Sequence, residues 1–302
     1  MIFPTPVNPT NFSRFPLTWT LVALNFLLFV VIFSVEKESD NEEFFLREST
    51  IQQTGIIYEH YRHPASQLTH ITETDAKNWG MQALRDEKFI SGAENIKPFG
   101  DSIDFSRWQK KTIAFREDYF AQPTFQYGLS SASKSRWPWI TYQFAHASWS
   151  HLFSNLVYLI IVGVAVELLI GSWGLLLLYC CGGIAGGLSF LLFNSHGFLP
   201  MVGASASITA LMAFYAIYEP KVRIRYFYFL SPMKEHYGAI YLPTLLMIPL
   251  YLISDWVSFL GSPTEMSGST AYTAHLGGSV FGALLAILMR YYWKTPPQGT
   301  TT

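Results

Sequence analysis

The sequence predicts an all-α membrane protein, a bundle of six transmembrane helices with a large, mostly helical extracytoplasmic insertion between helices 1 and 2. Two observations predict the bundle. Half of the 302 residues are hydrophobic and only 14% are charged, against roughly 25% charged in soluble domains. Six apolar segments recur along the chain: Leu17–Val35, His151–Ile170, Trp173–Phe193, Ser205–Tyr218, Tyr237–Leu260 and Ala271–Tyr292. A third observation predicts the insertion. Residues 36–137 carry 16 Asp/Glu and 13 Lys/Arg, a composition suited to water rather than lipid. Four regions follow: 1–35 (N-terminus and helix 1), 36–137 (insertion), 138–292 (core of helices 2–6) and 293–302 (tail). A net charge of −1 with no basic cluster gives no sign of a nucleic-acid partner, and the lipid bilayer is the expected surroundings.

The first apolar segment is long enough to span, and no A-x-A-like cleavage site follows it directly, so it reads as a retained helix. With no transit peptide evident, a bacterial inner membrane is expected. The insertion has mixed charge and roughly helical apolar spacing over Asn41–Tyr61 and Asp75–Phe89. Breaks are expected at Pro98-Phe-Gly100 and Gln122-Pro123. It ends at Arg136-Trp-Pro-Trp139, with aromatics suited to a membrane interface. The adjacent Cys180 and Cys181 lie inside an apolar run and read as packing residues, not a disulfide framework.

Segment four is too short to span. At about 1.5 Å per residue it reaches only about 21 Å of a roughly 30 Å core. A helix starting part-way into the membrane is expected, fed by the irregular stretch from Asn194 to Val202. Such backbone is tolerated at depth only where protein buries it or a watery cavity meets it. Pro243 and Pro249 are expected to kink the fifth helix. Arg14, the connection with Lys221, Arg223, Arg225 and Lys234, and the tail with Arg290 and Lys294 place both termini in the cytoplasm by the positive-inside rule. The insertion then lies outside.

Polar residues at the outer ends of three helices carry the chemistry. Ser205 opens helix 4, His275 is the fifth residue of helix 6, and His151 and Asn155 occupy the first turns of helix 2. Ionisable and strongly polar groups inside membrane helices are costly and read as functional by default. His275, Gly278 and Gly282 follow i, i+3, i+7 spacing, so the glycines share the histidine's face. Helix 4 offers Ala206, Thr209, Ala210 and Ala213 opposite, and small faces let membrane helices approach closely. Ser205 could then meet His275 as nucleophile and general base. The Ser205 N–H, free at a helix start, and the i, i+4 pair His151 and Asn155 would supply oxyanion donors. His146 is expected to brace the loop before helix 2. The i, i+5 spacing of His146 and His151, with no third ligand, argues against metal.

These residues resemble the motifs of the rhomboid intramembrane serine proteases. H-x4-H-x3-N is matched by His146, His151 and Asn155; G-x-S by Gly203 and Ser205; A-H-x2-G-x3-G by Ala274, His275, Gly278 and Gly282. Gly163 to Glu167 resembles the family's G-x3-E, whose glutamate helps hold helix ends. The resemblance covers residues 17–35 and 137–292 and implies a Ser–His dyad that cuts transmembrane-protein substrates near their extracytoplasmic ends. It implies neither metal nor cofactor. Two departures stand out: Ala206 replaces the glycine after the serine, and Trp137-Pro138 stands where many members have Trp-Arg. Ala206 keeps an inactive, helix-binding adaptor as the alternative. Ser207 is a rival nucleophile, and a small transporter using residues 194–204 and Glu167 is a third reading.

Overall fold

A computed structural model describes residues 2–5, 14–36, 47–64, 71–84, 86–98, 100–131, 135–193, 200–229, 237–246, 251 and 271–292. After a short strand, β1 (Ile2–Thr5), helix α1 runs from Pro16 to Val35. Within residues 36–137 lie α2 (Glu48–Arg62), α3 (Glu73–Ala83), α4 (Glu87–Ser91), α5 (Ser102–Ala121) and α6 (Pro123–Tyr127). Side-chain caps mark where several of these begin. Thr72 accepts from the Asp75 N–H, Asp86 from Lys88 and Phe89, and Asp101 from Ile103 and Asp104, so helix donors that would be orphaned are satisfied. These helices enclose a core of their own around Ile57, Phe89, Ile90, Phe105 and Trp108. Trp108 Nε1 donates to Thr54 Oγ1 inside it (3.0 Å). Tyr58 donates to Asp86 (2.9 Å), and burial, then that hydrogen bond, push its hydroxyl up to about 12.

The short helix α7 (Pro138–Thr141) leads into α8 (Trp149–Phe193). This long helix turns at Gly171 (φ 71°, ψ 173°) into two arms, 149–170 and 172–193. A Cβ at Gly171 would meet nothing within 4 Å, so the backbone angle, not space, demands glycine there. Next come α9 (Ser205–Tyr218), β2 (Arg223–Phe229), β3 (Tyr237–Pro243) and finally α10 (Ala271–Tyr292). Among the described residues, α1, α8 and α10 are long and apolar enough to cross a membrane, α8 by either arm. Leu27 and Val31 of α1, Leu188 and Leu192 of α8, and Leu284 and Ile287 of α10 are exposed. Apolar side chains facing outward suit lipid. At the centre stands α9, buried at every residue from Ser205 to Phe214.

The fifth apolar segment departs from expectation. Tyr237–Pro243 is a strand rather than the start of a helix, and Thr244–Leu246 is a single 3-10 turn. Tyr251 is helical; the rest of the segment, including Pro249, lies outside the described residues, so the six-span count rests on residues beyond them. The sheet has the order β1-β2-β3 and is antiparallel, pairing Ile2 with Tyr228, Thr5 with Arg225, Arg223 with Pro243 and Phe229 with Tyr237. Tyr-Gly-Ala-Ile-Tyr-Leu-Pro is rich in strand formers, and proline closes the strand instead of kinking a helix.

Opposite the serine end, Glu167 binds the elements together. Its carboxylate accepts from the N–H groups of Leu17 (3.0 Å) and Thr18 (2.9 Å), the Thr18 hydroxyl (2.6 Å) and the Ser172 hydroxyl (2.6 Å). The residue before α1, Phe15, offers no side-chain cap, so a glutamate from another helix fills that role at the positive end of the dipole. Thr18 can approach because position 163 is glycine; a Cβ there would lie 2.9 Å from Thr18 Cγ2. Glu167→Ala is expected to lower stability by about 1–3 kcal/mol, since buried donors lose their acceptor. Thermal unfolding in detergent, followed by circular dichroism, measures it.

Candidate active site

The approach to Ser205 is built by backbone. Met201 exchanges both hydrogen bonds with Leu129 (2.9 and 2.8 Å), and the Gly203 N–H donates to the Tyr142 carbonyl (2.8 Å). Gly203 has φ +118°, a conformation that L side chains rarely adopt. The chain thus turns sharply into α9, and Ser205 becomes its first residue. The Ser205 N–H has no partner within the helix, because the first four donors of any helix lack one.

Ser205 Oγ lies 2.6 Å from His275 Nε2, and both residues are buried, 7% and 4% exposed. That distance depends on glycine. A Cβ on Gly278 would overlap the Ala206 carbonyl oxygen, and one on Gly282 would overlap that of Ala210. Helices α9 and α10 therefore meet backbone to backbone. Thr209 Oγ1 bridges them, directed at the carbonyls of Ala206 (2.9 Å) and His275 (3.2 Å). The second arm of α8 closes the far side: Gly186 faces the Ala206 methyl and Gly182 faces Ala210. The methyl that replaces the usual glycine is thus taken up in a notch on a neighbouring helix.

His151 and Asn155 reach the same place from the first arm of α8. A Cβ on Gly203 would lie 2.8 Å from His151 Cε1 and Nε2 and 3.5 Å from Asn155 Nδ2. Asn155 is buried, and its Nδ2 has no hydrogen-bond partner among the described residues. A buried donor without a partner is costly, and this one lies beside the turn that delivers Ser205, open to an acceptor there. His146 packs edge-on against His151, with ring centroids 5.2 Å apart, and its Nδ1 lies 3.3 Å from the Phe144 carbonyl. It sits behind His151. The rival Ser207 is elsewhere: its hydroxyl is fully buried and donates to Gln143 Oε1 (2.8 Å). No group of three or more His, Cys, Asp or Glu among the described residues could hold a metal.

Three features escaped the sequence reading. Tyr251 packs edge-on against His275 (centroids 5.4 Å apart) and against Tyr158 (5.3 Å); its place inside a long apolar run gave no signal. Gln143 lies in a loop without periodicity. The Leu129–Met201 pairing is backbone alone, so side-chain pattern could not mark it. It fastens the end of the 36–137 region to the loop that delivers Ser205.

Adding a methyl at Gly278 must push α10 away from α9. Gly278→Ala is expected to cost about 1–3 kcal/mol by overpacking, whereas Ala283→Gly, about one and a half turns along, is expected to cost no more than about 1 kcal/mol. Thermal midpoints of the purified variants compare them.

Comparison with known proteins fits this geometry. A family model for the rhomboid domain matches residues 133–292, which include Ser205, His275, His151 and Asn155. Human rhomboid-related protein 3 is 27% identical over 203 residues, covering 67% of this chain and 45% of that protein. Mouse rhomboid-related protein 3 is 26% identical over 155 residues, covering 51% and 36%. The chain therefore spans less than half the length of these curated relatives. With the domain model matched across more than half of its residues, and the motif residues gathered around one buried serine, the chain belongs to the rhomboid family.

Proposed function

We propose that the protein is an intramembrane serine endopeptidase that cuts transmembrane segments of other membrane proteins near their extracytoplasmic ends. The 2.6 Å contact between Ser205 Oγ and His275 Nε2 carries this reading. Ser205 Oγ attacks the scissile carbonyl carbon while its proton passes to His275 Nε2. The negative oxygen that develops is received by the Ser205 N–H, by Asn155 Nδ2 and by His151. His275 returns the proton to the leaving nitrogen, and water then releases the acyl group from Ser205. A nucleophile at the start of a short helix, fed by irregular chain, suits water reaching it at that depth.

The catalytic role of Ser205 is supported over that of Ser207, whose hydroxyl is committed to Gln143. The inactive-adaptor reading rested on Ala206, and that methyl packs toward Gly186. The serine end is proposed to face away from the cytoplasm, with both termini inside. The exposed Lys221 and Arg223, and Arg290 donating to the Ile217 carbonyl (2.7 Å), gather at the opposite end. The relatives are human and mouse proteins and lend nothing to a bacterial inner membrane, so the proposal is for a multi-pass membrane protein only. The 36–137 region is proposed to guide substrates or partners and to add no catalytic group.

A fluorophosphonate probe tests the reading on purified protein. Wild type should be labelled; Ser205→Ala and His275→Ala should lose labelling while remaining folded. Labelling that survives Ser205→Ala but not Ser207→Ala would reverse the assignment. His151→Ala and Asn155→Ala should each slow turnover by about 10²–10³-fold, the usual cost of one oxyanion donor. Replacing residues 48–121 by a short polar linker, with Leu129 retained, should spare labelling. Loss in a well-folded shortened protein would bring that region into the active site.

A further inference from the structure

We infer that Gln143 is a positioning residue for the nucleophile, acting through Ser207 on the back of the serine helix. The inference rests on the serine-protease reading and extends it. Successive residues of an α-helix are offset by about 100°, so Ser205 and Ser207 point about 200° apart, to nearly opposite sides of α9. His275 meets the front at 2.6 Å. On the back, Ser207 Oγ donates to Gln143 Oε1 at 2.8 Å. Both Ser207 and Gln143 are fully buried, so neither group can exchange its partner for bulk water.

The site for Gln143 is built on every side. Its side chain occupies the space left by Gly183 on the second arm of α8, where a Cβ would overlap the amide carbon. Its Nε2 donates to the Trp139 carbonyl (3.3 Å), and its own carbonyl accepts from Tyr179 Oη (3.4 Å). Asn25 Nδ2 of α1 lies 3.4 Å from that same hydroxyl. The next residue back, Tyr142, donates its hydroxyl to the Gly183 carbonyl (2.7 Å) and accepts from the Gly203 N–H (2.8 Å). Gln143 therefore stands on a support drawn from α1, α8 and the loop before α8, and presents one acceptor to α9.

The physical consequence concerns rotation. Apolar packing around α9 is non-directional and tolerates small turns of the helix about its axis. The Ser207 hydrogen bond does not. With Gly203 held at one end and Ser207 held behind, the direction of Ser205 Oγ is fixed before substrate arrives. Misplacing a reacting atom by about 1 Å can cost about 10²-fold in rate.

The test compares Gln143→Leu, Gln143→Met, Ser207→Ala and the double variant Gln143→Leu/Ser207→Ala, using fluorophosphonate inactivation kinetics in detergent. Positioning acts on the chemical step. Each single variant should lower the limiting inactivation rate by about 10–100-fold, with the half-saturating probe concentration unchanged. The double variant should be no slower than the slower single, because both changes break one link. Thermal midpoints are read alongside, and agreement between the two Gln143 variants guards against a folding defect in one. Unchanged limiting rates in folded single variants, losses that multiply in the double, or a change confined to half-saturation would each overturn the inference. Absence of labelling in wild type would instead sink the protease reading itself, and Ser205→Ala sets that baseline.

Discussion

Two carbonyl oxygens on α9, those of Ala206 and Ala210, lie where side chains on α10 would have to be, and glycine at 278 and 282 leaves the room. Everything at the serine end depends on that contact. Lipid gives helices no hydrophobic reason to associate, so close packing and hydrogen bonds must hold them together. Backbone contact supplies the packing, and Thr209, reaching the carbonyls of Ala206 and His275, adds polar attraction. Only at this separation can a short serine side chain meet a histidine on another helix. The same device recurs on the second arm of α8, where Gly182 and Gly186 admit Ala210 and Ala206. Helix α10 and the second arm of α8 are thus drawn in against α9, and a helix too short to cross a membrane alone is shielded on both sides.

Polar groups were then spent at the two ends of this core, for different ends. Glu167 satisfies the start of α1 and the turn at Gly171 through four hydrogen bonds, so its charge is fully engaged. Asn155 at the opposite end keeps a buried donor without a partner among the described residues. A saturated site holds structure, whereas an unpaired donor leaves room for the acceptor that the proposed chemistry would bring. That contrast also separates Glu167 from the transporter reading, in which the carboxylate would have to bind and release an ion.

Much of the site was legible in the sequence because helices impose a period. The spacing of His275, Gly278 and Gly282 defines a face from sequence alone, and the expected 14-residue helix Ser205–Tyr218 is found with the same bounds. The helices around these residues fell close to expectation: His151–Ile170 was read where the first arm of α8 covers 149–170, and Ala271–Tyr292 was matched by α10. The strand at Tyr237–Pro243 was not legible. Length and apolarity favour a helix; the partner that makes it a strand is the preceding Arg223–Phe229, which in turn pairs with Ile2–Thr5 from the start of the chain. A strand's choice of partner leaves no mark in its own apolar pattern. Leu129, Gln143 and Tyr251 escape for a similar reason, since each acts through contacts with residues distant in the chain and none belongs to a repeat.

The proposed chemistry requires that Ser205 be the group that attacks. Mapping the fluorophosphonate adduct by mass spectrometry of digested wild-type protein asks this without altering a residue. The account predicts the added mass on Ser205, and its loss when the protein is unfolded before labelling, because the reactivity belongs to the pair with His275. An adduct on Ser207, or equal labelling of folded and unfolded protein, would contradict it.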